Sequence, residues 1–178
     1  TLKREQLPGF ETDLDSDVIY NGATSTFPNS CHVCESEVDP ETGEAKIVSY
    51  HVLDDFGRVI NPMLVAGQVH GGVAQGLGQA ILENCVYDPE TGQCLTASFT
   101  DYAMPRAEDI PDIDFAYEEI PCKTHAMQAK GCGEAGTVGA MPAVVSAVCD
   151  AIGVLHVDMP LTPERVWRAM QDRNAKAA

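Results

Sequence analysis

Apolar and polar positions alternate over Cys31–Asp39 and again over Ala45–Asp54, and between them stands Asp39-Pro-Glu-Thr-Gly43. Proline sets φ near one corner of that segment and glycine takes a positive φ at the other, so the stretch predicts a β-hairpin. The same five residues return as Asp88-Pro-Glu-Thr-Gly92, flanked by Asn84–Tyr87 and Cys94–Thr100, and predict a second hairpin. The flanking sequences of the two do not match, which makes the likeness one of turn chemistry and not of a duplicated domain. Ile113–Ile120 predicts a further strand, with Ile113, Phe115 and Tyr117 on one face.

Three stretches carry helical spacing instead. Asn61 to Leu82 reads as a helix with Pro62 in its first turn, in spite of Gly67, Gly71, Gly72, Gly76 and Gly78. Each interior glycine costs a helix about 1 kcal/mol relative to alanine, so five of them point to close packing against another backbone or a bulky ligand. Val138 to Ile152 repeats apolar residues at Val144, Val148, Ala151 and Ile152, with Pro142 tolerable in a first turn. Thr162-Pro163-Glu164 opens a last helix, with Thr162 as N-cap and Val166, Trp167 and Met170 as its buried stripe. Strands and helices mix without strict βαβ alternation, so the expected fold is α+β: a mixed sheet of hairpin strands with helices packed on it.

Composition narrows the function classes. The 178 residues, 44% of them hydrophobic, suffice for one compact core. Eleven basic residues against 27 acidic ones give a formal charge of −16, the wrong sign for nucleic acid or an anionic membrane surface. Seven cysteines without a dense framework favour a reducing compartment over disulfides. No apolar run near 18 residues and no signal-peptide pattern stand out, and the lack of an initial Met suggests excision from a longer chain. Residues 1–30, with Glu11, Asp13, Asp15 and Asp17 crowded together, read as an extended acidic arm or linker, and 31–178 as the domain proper.

Lys130-Gly-Cys-Gly-Glu-Ala-Gly136 carries the most pointed chemistry. Gly131-x-Gly133-x-x-Gly136 matches a dinucleotide fingerprint in letters, yet Thr124–Lys130 is a poor core strand and Glu134 would set a negative charge where phosphates should lie. Two readings remain from the residues alone. Either the glycines form a plain turn with Glu134 a solvated acid at a helix start, or they let main chain hug a ligand while Glu134 faces it as a base, its pKa drawn down by the helix and up by exclusion of water. Gln68 could offer donor and acceptor to a polar heterocycle or simply be solvated. Cys31 and Cys34, three apart in a strand, point to opposite faces and make a poor metal pair. His70 reads as a packing or hydrogen-bonding residue. Cys132 lies near a helix start that would lower its pKa, but Glu134 opposes that, and no nucleophile is assigned.

Gly67-Gln-Val-His-Gly-Gly-Val-Ala-Gln-Gly-Leu-Gly-Gln79, Asp101-Tyr-Ala-Met-Pro-Arg-Ala107 and the Lys130–Gly136 loop, in this order, resemble the C-terminal end of the large, molybdenum-cofactor-binding subunit of the xanthine oxidase and aldehyde oxidase family, above all the bacterial branch with aerobic carbon monoxide dehydrogenase. The resemblance runs from about Ser25 to Met170 and makes residues 31–178 a C-terminal molybdopterin-binding domain. It implies that Glu134 is the general base of a hydroxylation that uses water as oxygen source, taking a proton from the attacking hydroxide. It implies that Gln68 contacts the pterin and that the backbone of Lys130, Gly131 and Gly133 approaches the metal site. Molybdopterin, in its cytosine dinucleotide form with molybdenum, would be shared with upstream segments, and no residue of this chain would ligate the metal. Iron–sulfur clusters and FAD would sit on partner domains or subunits only. The implied partners are the rest of the large subunit, iron–sulfur and flavin subunits, and a small aldehyde, N-heterocycle or similar substrate. A cytoplasmic location is expected, with export as a folded complex left open. The isolated chain is expected to be inactive. A non-catalytic assembly domain with an idle glutamate, and more remotely a dinucleotide-binding module, are the competing readings.

Overall fold

The computed structural model describes residues 19, 21 and 24–177. Most of the expected acidic arm, including Glu11, Asp13, Asp15 and Asp17, lies outside the described residues. Three strands, β1 (Asn29–Val38), β2 (Ala45–Asp55) and β3 (Ile113–Glu118), form one mixed sheet in the order β1-β2-β3. β1 and β2 are antiparallel and β2 and β3 parallel, with a register shift between Glu35 and Ser36. Among the described residues there are three α-helices, α1 (Pro62–Ile81), α2 (Ala135–Ala151) and α3 (Pro163–Ala177). The architecture is the α+β mixed sheet expected from the residue pattern.

One sheet face is apolar because Tyr50 and Val52 of β2 point inward at strand period, and each is at most 3% exposed. α1 contributes Val69, Val73 and Leu77, α2 contributes Ala140, Val144 and Val148, and all six are fully buried. Burying such a side chain is worth about 1.5–3 kcal/mol, which outweighs the cost of the glycines in α1. Asn61 caps that helix by accepting from the Leu64 amide at 3.2 Å, and Pro62 stands in the first turn as expected.

Three of the five α1 glycines have a packing reason within the chain. A Cβ on Gly72 would lie 3.0 Å from Gly136 Cα, one on Gly76 would lie 2.7 Å from the Ala140 Cβ, and one on Gly78 would run into Pro105. The helices α1 and α2 therefore touch backbone to backbone. Gly67 and Gly71 differ, because a Cβ on either meets nothing within 4 Å.

Three expectations are corrected. The second hairpin shrinks to a single bridge between Tyr87 and Cys94. Its turn forms, since Gly92 N–H donates to Asp88 O at 2.9 Å as Gly43 N–H does to Asp39 O at 2.8 Å. What fails is the pairing beyond it: Tyr87, Leu95 and Phe99 stay exposed, and a two-stranded ribbon with no covered face is marginal. Helix α2 starts three residues earlier than the apolar spacing indicates, so Pro142 falls inside it and not in its first turn. The carbonyl left without that amide belongs to Val138, which is 64% exposed, where water can take the bond. In α3, Val166 and Met170 are buried, whereas Trp167 is 41% exposed. His70 is exposed and meets the Phe115 ring edge-on at 6.3 Å between centroids.

The paired turns give a clean comparison. Gly43 and Gly92 have φ of +77° and +72°, so alanine at either costs about 1 kcal/mol for the left-handed backbone. At Gly92 the new Cβ meets nothing, while at Gly43 it meets the Pro163 carbonyl and lies 2.7 Å from Trp167 N. Overpacking adds about 1–3 kcal/mol. Gly43→Ala is expected to lower the urea midpoint two- to threefold further than Gly92→Ala when the two are unfolded side by side.

Candidate functional site

The loop Lys130–Glu134 is tied down at both ends. At its start, the Lys130 ammonium donates to Asp55 Oδ2, and both side chains are about nine-tenths buried, at 11% and 10% exposure. The Lys130 amide donates to Phe56 O at 2.8 Å. Asp55, the last residue of β2, also accepts at Oδ1 from the amides of Gly57 at 2.9 Å and Ile120 at 3.1 Å. Burial pushes the Asp55 carboxyl upward, yet the Lys130 ammonium and these two amides outweigh burial and hold it below the usual carboxylate range. One carboxylate thus joins the end of the sheet, the segment after β3 and the glycine loop.

The approach to the loop is equally specified. Gly57, at φ +60°, leaves room for the Gln128 carbonyl, which accepts from Arg58 N at 3.0 Å and Cys122 N at 3.0 Å. Gln128 itself takes a φ of 60°, a strained position for a residue with a Cβ. Before Lys130 the chain runs through turns and one isolated bridge, Gly57 with Ala129. That is not the buried strand a dinucleotide fingerprint requires.

At its far end the loop becomes helix. Glu134 is the N-cap residue of α2, with no side-chain capping bond, and its carbonyl accepts from Val138 N at 3.0 Å. Two residues on, Gly136 presses on α1: a Cβ there would lie 2.5 Å from Val69 O and 3.0 Å from Val73 N. Thr137 Oγ1 donates to Gly72 O at 3.0 Å across the same seam. The start of α2 is thereby joined to α1 next to Gln68.

Glu134 and Gln68 are both exposed, and among the described residues neither side chain makes a hydrogen bond. Gly131 and Gly133 are exposed too, with nothing within 4 Å of a Cβ at either. Packing among the described residues therefore accounts for neither these two glycines nor Gly67 and Gly71. All four leave main chain bare on the segments that carry Glu134 and Gln68, and a large flat ligand could approach to backbone distance there. Among the described residues no group of three or more His, Cys, Asp or Glu side chains could hold a metal ion. Cys31 is exposed and Cys34 half-buried, where burial pushes its thiol up to about 11. Asp55 is the site residue that sequence reasoning missed. Its only local signal was an acid at the end of a strand, just before Phe56-Gly57.

The exposed glycines leave main chain open beside both Gln68 and Glu134. Comparison makes the class specific. The family model of the molybdopterin cofactor-binding domain matches residues 7–111, more than half of the chain. The chain belongs to this family. It is 35% identical over 169 residues to the carbon monoxide dehydrogenase large chain of Hydrogenophaga pseudoflava, covering 93% of this chain and 21% of that one. It is 37% identical over 164 residues to the nicotine 6-hydroxylase large subunit of Paenarthrobacter nicotinovorans, covering 90% and 20%. The crystal structure of quinoline 2-oxidoreductase from Pseudomonas putida 86 superposes with a TM-score of 0.85 at 36% identity, covering 93% and 21%. The chain spans about a fifth of the length of the curated relatives it matches. Among the described residues no helix is long and apolar enough to cross a membrane.

Proposed function

We propose that this chain is the part of a molybdenum hydroxylase large subunit that carries the general base, Glu134, and a pterin contact, Gln68. The observation that carries the reading is the pinned but unengaged carboxylate: Glu134 sits between the Lys130–Asp55 tie and the Gly136 seam, yet spends its side chain on no local bond. A base must stay within about 3 Å of the proton it takes, and a loop fastened at both ends keeps it from swinging away.

When bound, the cofactor supplies the oxidising chemistry, a two-electron hydroxylation of an aldehyde, N-heterocycle or similar small substrate with water as oxygen source. Glu134 accepts the proton released as oxygen is added. Gln68 offers its amide to the pterin, and the bare main chain at Gly131 and Gly133 allows close approach at the metal end. Lys130 acts through Asp55, holding the loop, while its backbone faces the site. The cytosine dinucleotide form of the cofactor, iron–sulfur and flavin partners that drain electrons, the rest of the large subunit, and a cytoplasmic location belong to the same proposal. The names of the relatives, a large chain and a large subunit, support a multi-subunit setting.

The deciding experiment replaces Glu134 with Gln in the complete subunit. Turnover must collapse with molybdenum content unchanged, and full turnover in that variant would instead make this an assembly domain with an idle acid. Gln68→Ala should act differently. It is expected to weaken cofactor retention about tenfold, the worth of one or two hydrogen bonds, read as molybdenum per subunit after dilution and gel filtration.

A further inference from the structure

The loop contacts described above leave one group under α2 without a part to play. His32 stands on β1 facing the helix, its Nδ1 2.8 Å from the Tyr50 hydroxyl and its ring edge-on to the Tyr50 ring at 5.8 Å. The opposite edge of the ring fills the space where a Cβ on Gly139 would stand. Its Nε2 is buried, and the ring interacts with the main chain of Ala135, the first residue of α2. Asp54, 1% exposed, pairs across the sheet with Ser30, two residues from His32, and the Ser30 side chain acts on its carboxylate against the effect of burial.

We infer that His32 is a positioning residue for Glu134: its ring is the spacer that sets where the first two turns of α2 lie against the sheet. The inference rests on the reading of Glu134 as base. Gly139 follows Ala135 by four residues, so it lies directly below the first residue of α2 on the same helix face. Gly136 and Gly139 both lack a Cβ, so the start of α2 meets α1 and the His32 ring with bare main chain. The seam to α1 is backbone against backbone and has no freedom. On the sheet side the spacer is a side chain, and its size and tilt pass straight to the helix start that Glu134 caps. Tyr50, 1% exposed, fixes the tilt from one side. Burial lowers the pKa of His32, with Asp54 opposing, and burial raises that of Asp54, so burial favours the uncharged form of each group in this layer.

The test uses the complete, cofactor-loaded subunit with its partners and three variants: His32→Ala, Gly139→Ala and the two combined. The first removes the spacer and the second pushes against it. Each single variant is expected to speed amide exchange selectively at residues 135–139 and to lower kcat at least tenfold, since about 1 Å of misplacement can cost 100-fold. KM should stay within about twofold, because uniform substrate binding is untouched. In the combined variant the new methyl occupies room the ring has left, so exchange and kcat should recover part of the loss. Unchanged exchange at 135–139 in His32→Ala overturns the inference, as does loosening spread evenly over the domain. A combined loss equal to the product of the two singles overturns it too. If Gly139→Ala does not fold, His32→Phe decides: a ring of similar reach must keep exchange at 135–139 low, and a rise as large as that in His32→Ala refutes the spacer. Failure of the base reading is separable, because Glu134→Gln would then retain turnover while the exchange data still report on the seat of α2.

Discussion

Glu134→Gln in the complete subunit is expected to lower kcat by about 10²–10⁴-fold, the usual contribution of a positioned general base. Gln is nearly isosteric with Glu and cannot accept the proton. Because the Glu134 side chain makes no capping bond in α2, its replacement removes no intrachain contact, and the melting temperature should hold within about a degree. Molybdenum content should match wild type, since the proposed cofactor contacts are main chain at Gly131 and Gly133 and the Gln68 amide, none of which the substitution touches. A Glu134→Asp variant adds a second check, as it keeps the carboxylate but draws it back by one methylene. Partial activity in Asp with almost none in Gln would mean that both the charge and its reach matter. Steady-state kinetics beside metal analysis reads all of these, and undiminished kcat in the Gln variant would remove the base from the mechanism.

The second large effect concerns the tie at the other end of the loop. Asp55→Ala is expected to destabilise the protein by about 3 kcal/mol, because it strands the Lys130 ammonium at 11% exposure and orphans the amides of Gly57 and Ile120. Lys130→Met, which leaves a buried carboxylate still served by two amides, should cost less. The pH dependence follows from the depressed Asp55 pKa. A carboxyl held below its unfolded value of about 4 contributes stability that is fully present above that pH and fades as pH falls through the lower folded value. Acid unfolding of the wild type should therefore show a steep limb below about pH 4 that flattens in Asp55→Asn. An unchanged acid limb would mean that the pair adds nothing to folding.

The two hairpin turns show how far local sequence reaches. Asp39–Gly43 and Asp88–Gly92 fold alike down to the carbonyl-to-amide bonds, because proline, glycine and an aspartate side chain settle a turn among neighbouring residues. Whether strands extend from the turn is a different matter. β1 and β2 extend because α2 covers their inner face, whereas the segments around Tyr87 and Cys94 find no such cover and stop at one bridge. Helix α1 was legible from Asn61 and Pro62 onward, but the start of α2 was not. Residues 135–137 lack the apolar spacing that marks a helix, and they are helical because Gly136 and Thr137 dock on α1.

Sequence alone determined β1, β2, β3 and α1, the turn chemistry and the acidic balance, since each depends on local preference or on residue type, while the base and pterin-contact roles came from the resemblance of its motifs to a known family. Tertiary structure decided that Asp55 holds Lys130, that Gly136 and Gly139 seat α2 against α1 and His32, and that Gly67, Gly71, Gly131 and Gly133 stay bare. Those facts join residues far apart in the chain, 75 positions for Lys130 and Asp55 and 107 for Gly139 and His32, and a close approach of two backbones leaves no periodic trace in either sequence.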